Sequence, residues 1–276
     1  MAIANDAGLR ILAPLDDSMQ SQRALTYAQS LATATGGRLK LLRATDLDDE
    51  AHANSLASTA RRLEDAGVAV EWSVVHGVDG PTAIREAEVT WQPDLIALAT
   101  TMLSGWDRWV NDSVAEAVVK SVRVPVLVVP RDWEGSLLAR NTARILVALD
   151  GSTTAECALD VVLHLARRLP SEYVLIRAIH AERDRRGAED YLRHIVSTVE
   201  AMLDDQEVGW RVVVESPATA ILNSARELEV DAIAMSTRGH GAEHVLSIGS
   251  TAADVVDNAT VPVILVGPGA LTDAHR

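Results

Sequence analysis

The chain is written twice, and that repeat limits its folds more than any other feature. "LRILAPLDDSMQSQRAL" from Leu9 is matched by "ARILVALDGSTTAECAL" from Ala143. Each is a short apolar run ending in Leu-Asp, then a Ser-containing turn, then helical periodicity. Further on, "IALATTMLSGWDRWVNDSVAEAVVKSVRVPVLVV" from Ile96 aligns without a gap on "IAMSTRGHGAEHVLSIGSTAADVVDNATVPVILV" from Ile233, with about a third of positions identical. Self-similarity of this order marks a tandem duplication.

Each copy alternates strand and helix. In the second half the pattern predicts strands at Ile145–Leu149, Tyr173–Ala178, Val208–Glu215, Ala232–Ser236 and Val263–Val266. Helices are expected at Ala155–Arg168, around Glu189–Leu203, at Ala218–Leu228 and from about Thr251 to Asn258. The first half repeats this from Ile11 to Val129, and periodicity lapses over Pro130–Asn141, the expected linker. Continuous apolar strands separated by helices predict an α/β chain of two tandem Rossmann-like domains, each a mainly parallel, doubly wound sheet. The expected domains are residues 1–135 and 140–276.

Phe is absent from the 276 residues while 48% are apolar, so the core has to be aliphatic. The net charge of −14 repels phosphate backbones and argues against nucleic acid as a partner. A small anionic ligand stays compatible with it, because local N–H dipoles can outweigh distant charge. Lys40 and Lys120 are the only lysines, so a phosphate site would rely on backbone amides and Arg. The single Cys157 rules out an intramolecular disulfide framework. The start of the chain lacks the pattern of a signal peptide, and no apolar run approaches the roughly 18 residues of a membrane span. The expectation is a soluble, cytoplasmic protein with no membrane partner.

Chemistry-bearing residues gather where strands should end, which in open parallel sheets is where ligands bind. In the second half these are Asp150, Ala178, the stretch Ser236–Gly239, and Gly249-Ser250 opening a helix. Glycines let a backbone approach a phosphate closely, and a helix N-terminus offers unpaired N–H groups. Ser250 and Thr251 add hydroxyls, and Arg238 a charged fork. With the duplication, these residues make the chain resemble a tandem member of the universal stress protein family. The nucleotide-binding members of that family share G-x2-G-x9-G-[ST]. Gly239, nine residues, and Gly249-Ser250 match its later elements; Ser236 stands at the first glycine's place.

That resemblance implies a five-stranded Rossmann-like sheet per half and ATP binding in halves that bear the motif. By it, Asp150 and the backbones of Ala148, Leu149 and Ala178 would hold adenine and ribose. Ser236, Gly239, Gly249, Ser250 and Thr251 would hold ribose and phosphates, with magnesium carried on the nucleotide. Family members pair through their last strands, so a tandem chain would form that pair internally, with a homodimer of whole chains as a further assembly.

The first half departs from the pattern. Met102 stands where Gly239 does and Asp112 where Gly249 does. A side chain would fill the phosphate's space, and a carboxylate about 4 Å from a phosphate would repel it by roughly 1 to 4 kcal/mol. Ser113 alone would not offset this. The first half is therefore expected to be empty and the second occupied.

Other readings compete. Asp16 stands at Asp150's place in the other copy, so the aspartate can simply organise the turn and helix cap. His240 and His244, with Glu243 between, invite a metal, but no further ligand completes a set, so no protein-held metal is expected. Gly239-His240-Gly241 lacks the third glycine of a dinucleotide fingerprint, and no P-loop or nucleophile elbow is present. Cys157 reads as packing rather than redox. Trp106 and Trp109, inside the altered loop of the first half, read as core or interface packing. No residue stands as a general base against a γ-phosphate. The expectation is an ATP-binding stress-response regulator with at most slow hydrolysis. A nucleotide-free interaction scaffold is the alternative, and a nucleotidyl-transferring or hydrolysing enzyme on the same sheet a third.

Overall fold

The structure is a computed structural model that describes residues 8–16, 18–46, 50–99, 114–133, 142–166, 168–169, 171–203, 208–239, 248–267 and 269–270. The first half comprises β1 (Arg10–Pro14), α1 (Met19–Thr35), β2 (Arg38–Thr45), α2 (Glu50–Asp65), β3 (Ala69–His76), α3 (Gly80–Trp91), β4 (Leu95–Ala99), α4 (Val114–Ser121) and β5 (Val126–Val129). The second comprises β6 (Ala143–Ala148), α5 (Thr153–Ala166), β7 (Ser171–Ile179), α6 (Arg185–Met202), β8 (Gly209–Val214), α7 (Pro217–Glu227), β9 (Ala232–Ser236), α8 (Ser250–Asn258) and β10 (Val263–Val266).

The strands form one ten-stranded sheet in the order β3-β2-β1-β4-β5-β10-β9-β6-β7-β8. Pairing is parallel within each half and antiparallel at the joint, where Val128, Leu127 and Val126 face Val263, Ile264 and Leu265. The internal pairing of last strands is thus present. Strands with both faces covered must be apolar throughout, and β5 and β10 are buried at every residue.

Side chains alternate between two aliphatic cores, as a pleated strand requires: Ile11 and Ala13 face one layer, Leu12 the other. Helices α1, α2, α5 and α6 cover the first layer, and α3, α4, α7 and α8 the second. Each Leu, Ile or Val buried there contributes about 1.5–3 kcal/mol before entropy is counted.

Several contacts tie the halves together beyond the β5–β10 joint. Arg168 pairs with Asp94 at 2.9 Å, and Asp94 also accepts the Arg10 N–H at 2.8 Å. Gly267, just after β10, lies against α4 so closely that an added Cβ would stand 2.3 Å from the Val119 carbonyl oxygen. Within the first half, Trp133, in the part of the expected linker that is described, is buried edge-on against Tyr27, with ring centroids 5.1 Å apart. Residues 134–141 of that linker lie outside the described residues.

The main difference from the sequence reading is the start of α6, four residues earlier than Glu189. A 3-10 turn at Glu182–Asp184 leads into it, and the Arg185 guanidinium pairs with Glu182 across the junction. Gly187, unfavourable inside a helix by about 1 kcal/mol, hides this turn in the sequence. Trp91 is buried, Trp72 is exposed on edge strand β3, and Trp210 underlies the Arg193 guanidinium at 5.3 Å. Trp106 and Trp109 lie outside the described residues.

Candidate functional site

The carboxyl ends of β6, β7 and β9 and the start of α8 enclose a cleft of about 540 Å³. All ten residues singled out from the sequence line it: Ala148, Leu149, Asp150, Ala178, Ser236, Arg238, Gly239, Gly249, Ser250 and Thr251.

Asp150 is held at the turn after β6. Its Oδ1 accepts the Ser152 backbone N–H at 2.9 Å and the Ser152 hydroxyl at 2.6 Å, while Ser152 Oγ accepts the Ala155 N–H at 3.2 Å. The same device recurs in the first half. Asp16 accepts the N–H and hydroxyl of Ser18, and Ser18 Oγ accepts the Ser21 N–H at 3.1 Å to cap α1. The aspartate therefore organises the turn in both copies, as the structural reading of Asp150 anticipated. Its second oxygen reaches the loop after β9: a Cβ on Gly239 would stand 2.0 Å from Asp150 Oδ2, so any larger residue there would have to displace the carboxylate.

The opposite wall is a helix start without a side-chain cap. Gly249 is the N-cap of α8, with extended backbone and no side-chain hydrogen bond, and the first turn holds no acidic residue. The leading N–H groups of a helix have no intrahelical acceptor, and here they belong to residues lining the cleft. The Gly249 N–H donates to the Thr237 carbonyl at 2.8 Å, and a Cβ on Gly249 would press on that oxygen at 3.2 Å. Ser236 is buried, and its hydroxyl donates to the Arg238 carbonyl at 2.5 Å. That hydroxyl shapes the loop rather than pointing a donor into the cleft.

Several lining residues were missed from the sequence. Arg177 is foremost: its guanidinium stacks over the Tyr191 ring at 4.6 Å and over Gly151, where a Cβ would meet Nη2 at 2.8 Å. Gly151 has φ +84°, which also favours glycine. A charged residue inside the otherwise apolar "YVLIRAI" was the signal available for it. His180 and Asp184 join the rim, while Pro217, Ile221 and Met235 give an apolar wall.

The corresponding cleft of the first half measures about 180 Å³ and is lined by Pro14, Asp16, Ala44, Ala99 and Val114, among others. Met102, Asp112 and Ser113 lie outside the described residues, as do His240, Glu243 and His244. Among the described residues no group of three or more His, Cys, Asp or Glu is arranged to hold a metal. Burial, then Asp160 and Glu156, push the Cys157 thiol pKa up, the reverse of what a nucleophilic thiolate needs. No helix among the described residues is long and apolar enough to cross a membrane.

Known proteins share this architecture. A universal stress protein of Mycobacterium tuberculosis is 24% identical over 297 residues, spanning 95% of this chain and 97% of the relative. The crystal structure of a universal stress protein from Archaeoglobus fulgidus matches with TM-score 0.70 and 21% identity, over 95% of this chain and 97% of the other. A functionally unknown protein of Pseudomonas aeruginosa matches with TM-score 0.71 and 19% identity, over 98% and 96%. At such identities these two structures establish the fold. The sequence profile of the universal stress protein family matches twice, over residues 9–130 and 141–267. With a repeated five-strand unit in each matched span, the chain belongs to the universal stress protein family.

Proposed function

We propose that the chain is a nucleotide-binding regulatory protein that takes one ATP in the C-terminal cleft and none in the N-terminal one. The observation that carries this reading is the pairing of an uncapped α8 N-terminus with a glycine backbone across from it, in a cleft of about 540 Å³. Backbone N–H groups and the helix dipole favour a phosphate chain there, and Ser250, Thr251 and Arg238 line the same wall. The apolar wall of Pro217, Ile221 and Met235 suits the flat face of a base.

Magnesium would travel on the phosphates, with no protein-held ligand set required. Among the described residues none that lines the cleft is placed as a committed base for hydrolysis, which favours a sensor that reports nucleotide over one that turns it over. On this reading residues 1–135 and 140–276 divide the work, and the role is in the stress response.

The test is calorimetric titration of ATP–Mg into nucleotide-stripped protein beside Gly249→Asp. One site per chain, lost in the variant, supports the reading. Absence of binding to the wild type would leave an interaction scaffold of the same fold.

A further inference from the structure

The N-terminal cleft lies at the same place in its half as the C-terminal one, yet its described lining lacks the basic side chains of the other. Ala99 stands where the second half has Ser236, Val114 where it has Thr251, and Pro14, which lacks an N–H, where it has Ala148. Among the described residues no Lys, Arg or His lines this cleft, whereas Arg177 and Arg238 line the other. The helix start is altered in the same sense. Glu116, buried in the first turn of α4, sets a carboxylate near the positive end of the helix dipole, where α8 has Ala253. Lys120, one turn on, pairs with Glu116 at 2.5 Å.

Among the described residues the lining is mainly apolar, with the Asp16 carboxylate as its charged group. Hydrogen bonds from Ser18 and Ser21 outweigh burial and hold the Asp16 carboxyl below its usual value, so it is charged at neutral pH. Ser18 bonds only one of its oxygens, Oδ1. The volume of about 180 Å³ compares with the roughly 150 Å³ of an engineered apolar cavity that takes up benzene.

We propose that this cleft is a second ligand site, which takes a small organic amine with an apolar body, its ammonium at Asp16 and its body against Ala44, Ala99 and Val114. The site is independent of whether the C-terminal cleft holds ATP. It disfavours phosphates for the same reasons that it admits a cation: a carboxylate in the lining and no basic side chain in the described lining.

The probe is phenethylamine, titrated by calorimetry into the full chain, with phenylacetate as the same body carrying the opposite charge. The expected result is one amine per chain and phenylacetate at least tenfold weaker. Asp16→Asn, whose side-chain oxygen can still accept from Ser18, should weaken the amine about tenfold. Ala99→Leu should abolish binding by filling the hollow. Saturating ATP–Mg should leave the amine isotherm unchanged. No amine binding to the wild type, equal binding of phenylacetate, or an unchanged isotherm in Asp16→Asn would overturn the proposal. If Ala99→Leu fails to fold, Asp16→Asn decides alone.

Discussion

Asp150 and Gly239 are fitted to each other: the carboxylate oxygen of one occupies the space a side chain on the other would need, 2.0 Å from an added Cβ. The turn after β6 and the loop after β9 therefore meet with no room for a methyl group. Gly239→Ala is expected to push the Asp150 carboxylate aside and lower ATP–Mg affinity by tenfold or more. Because the carboxylate can swing toward solvent, thermal stability should fall little. Calorimetry and a melting curve on one preparation check both halves of this expectation.

Arg177 is clamped between Tyr191 and the Gly151 turn, which fixes a cation at the rim of a cleft in an acidic protein. Its planar fork stacks on the ring in a way an ammonium cannot reproduce. Arg177→Lys should therefore weaken nucleotide binding about five- to tenfold although charge is kept, and Tyr191→Phe should preserve it. Equal affinity for wild type and Arg177→Lys would remove Arg177 from the site.

Gly267 seats the end of the chain on α4 across the boundary between halves. A Cβ there would stand 2.3 Å from a backbone oxygen, which no side-chain rotation relieves. Gly267→Ala should destabilise by about 1–3 kcal/mol, seen as a lower denaturant midpoint with an unchanged slope.

Loss of the Asp94–Arg168 pair has a different cause. Both groups are mostly buried, and Asp94→Ala would leave the Arg168 guanidinium without its ion-pair partner and the Arg10 N–H without its acceptor. A cost of about 2–4 kcal/mol is expected, against less for Arg168→Met, which leaves behind an Asp94 carboxylate that is the more exposed partner and still accepts the Arg10 N–H. Chemical denaturation of the two variants side by side gives the ordering.

The acid limb of stability carries the mark of Asp16. Burial alone would raise its carboxyl, but hydrogen bonds from Ser18 and Ser21 lower it below the unfolded value of 3.8. A depressed folded pKa adds stability that is present above the unfolded value and lost as pH falls through the folded one. Asp79, at the cap of α3, titrates in the same direction through its bonds from Thr82. Asp16→Asn should flatten the loss of stability below about pH 4, measured by denaturation at stepped pH.

The strands were legible where both faces are covered, because nothing but an unbroken apolar run can sit there. Ala232–Ser236 and Val263–Val266 have the limits expected from sequence. The start of α6 was not, since Gly187 and a run of alternating charges conceal a helical turn that Arg185 and Glu182 hold from outside the periodic pattern. Of the ten expected site residues, the glycines and the helix start mark themselves by spacing, whereas Ala148, Leu149 and Ala178 followed from the family resemblance; all ten line the cleft. Arg177 stayed hidden because its role depends on Tyr191, fourteen positions away in sequence and brought to it only by the fold. The loop residues that distinguish the two halves most sharply in sequence, Met102 and Asp112, lie outside the described residues. The contrast between the halves therefore rests on Pro14, Ala99, Val114 and Glu116.

Strands within each half run parallel, but β5 and β10 run opposite ways, so the two sets of strand ends point to opposite edges of the sheet. The clefts open onto separate stretches of solvent, back to back across the joint. In an assembly of two identical chains every substitution strikes both clefts at once, and a change that ruins one ruins its twin. Joining the copies in one polypeptide removes that constraint: one cleft can drift to new chemistry while its sibling keeps the old, on a shared and unaltered scaffold.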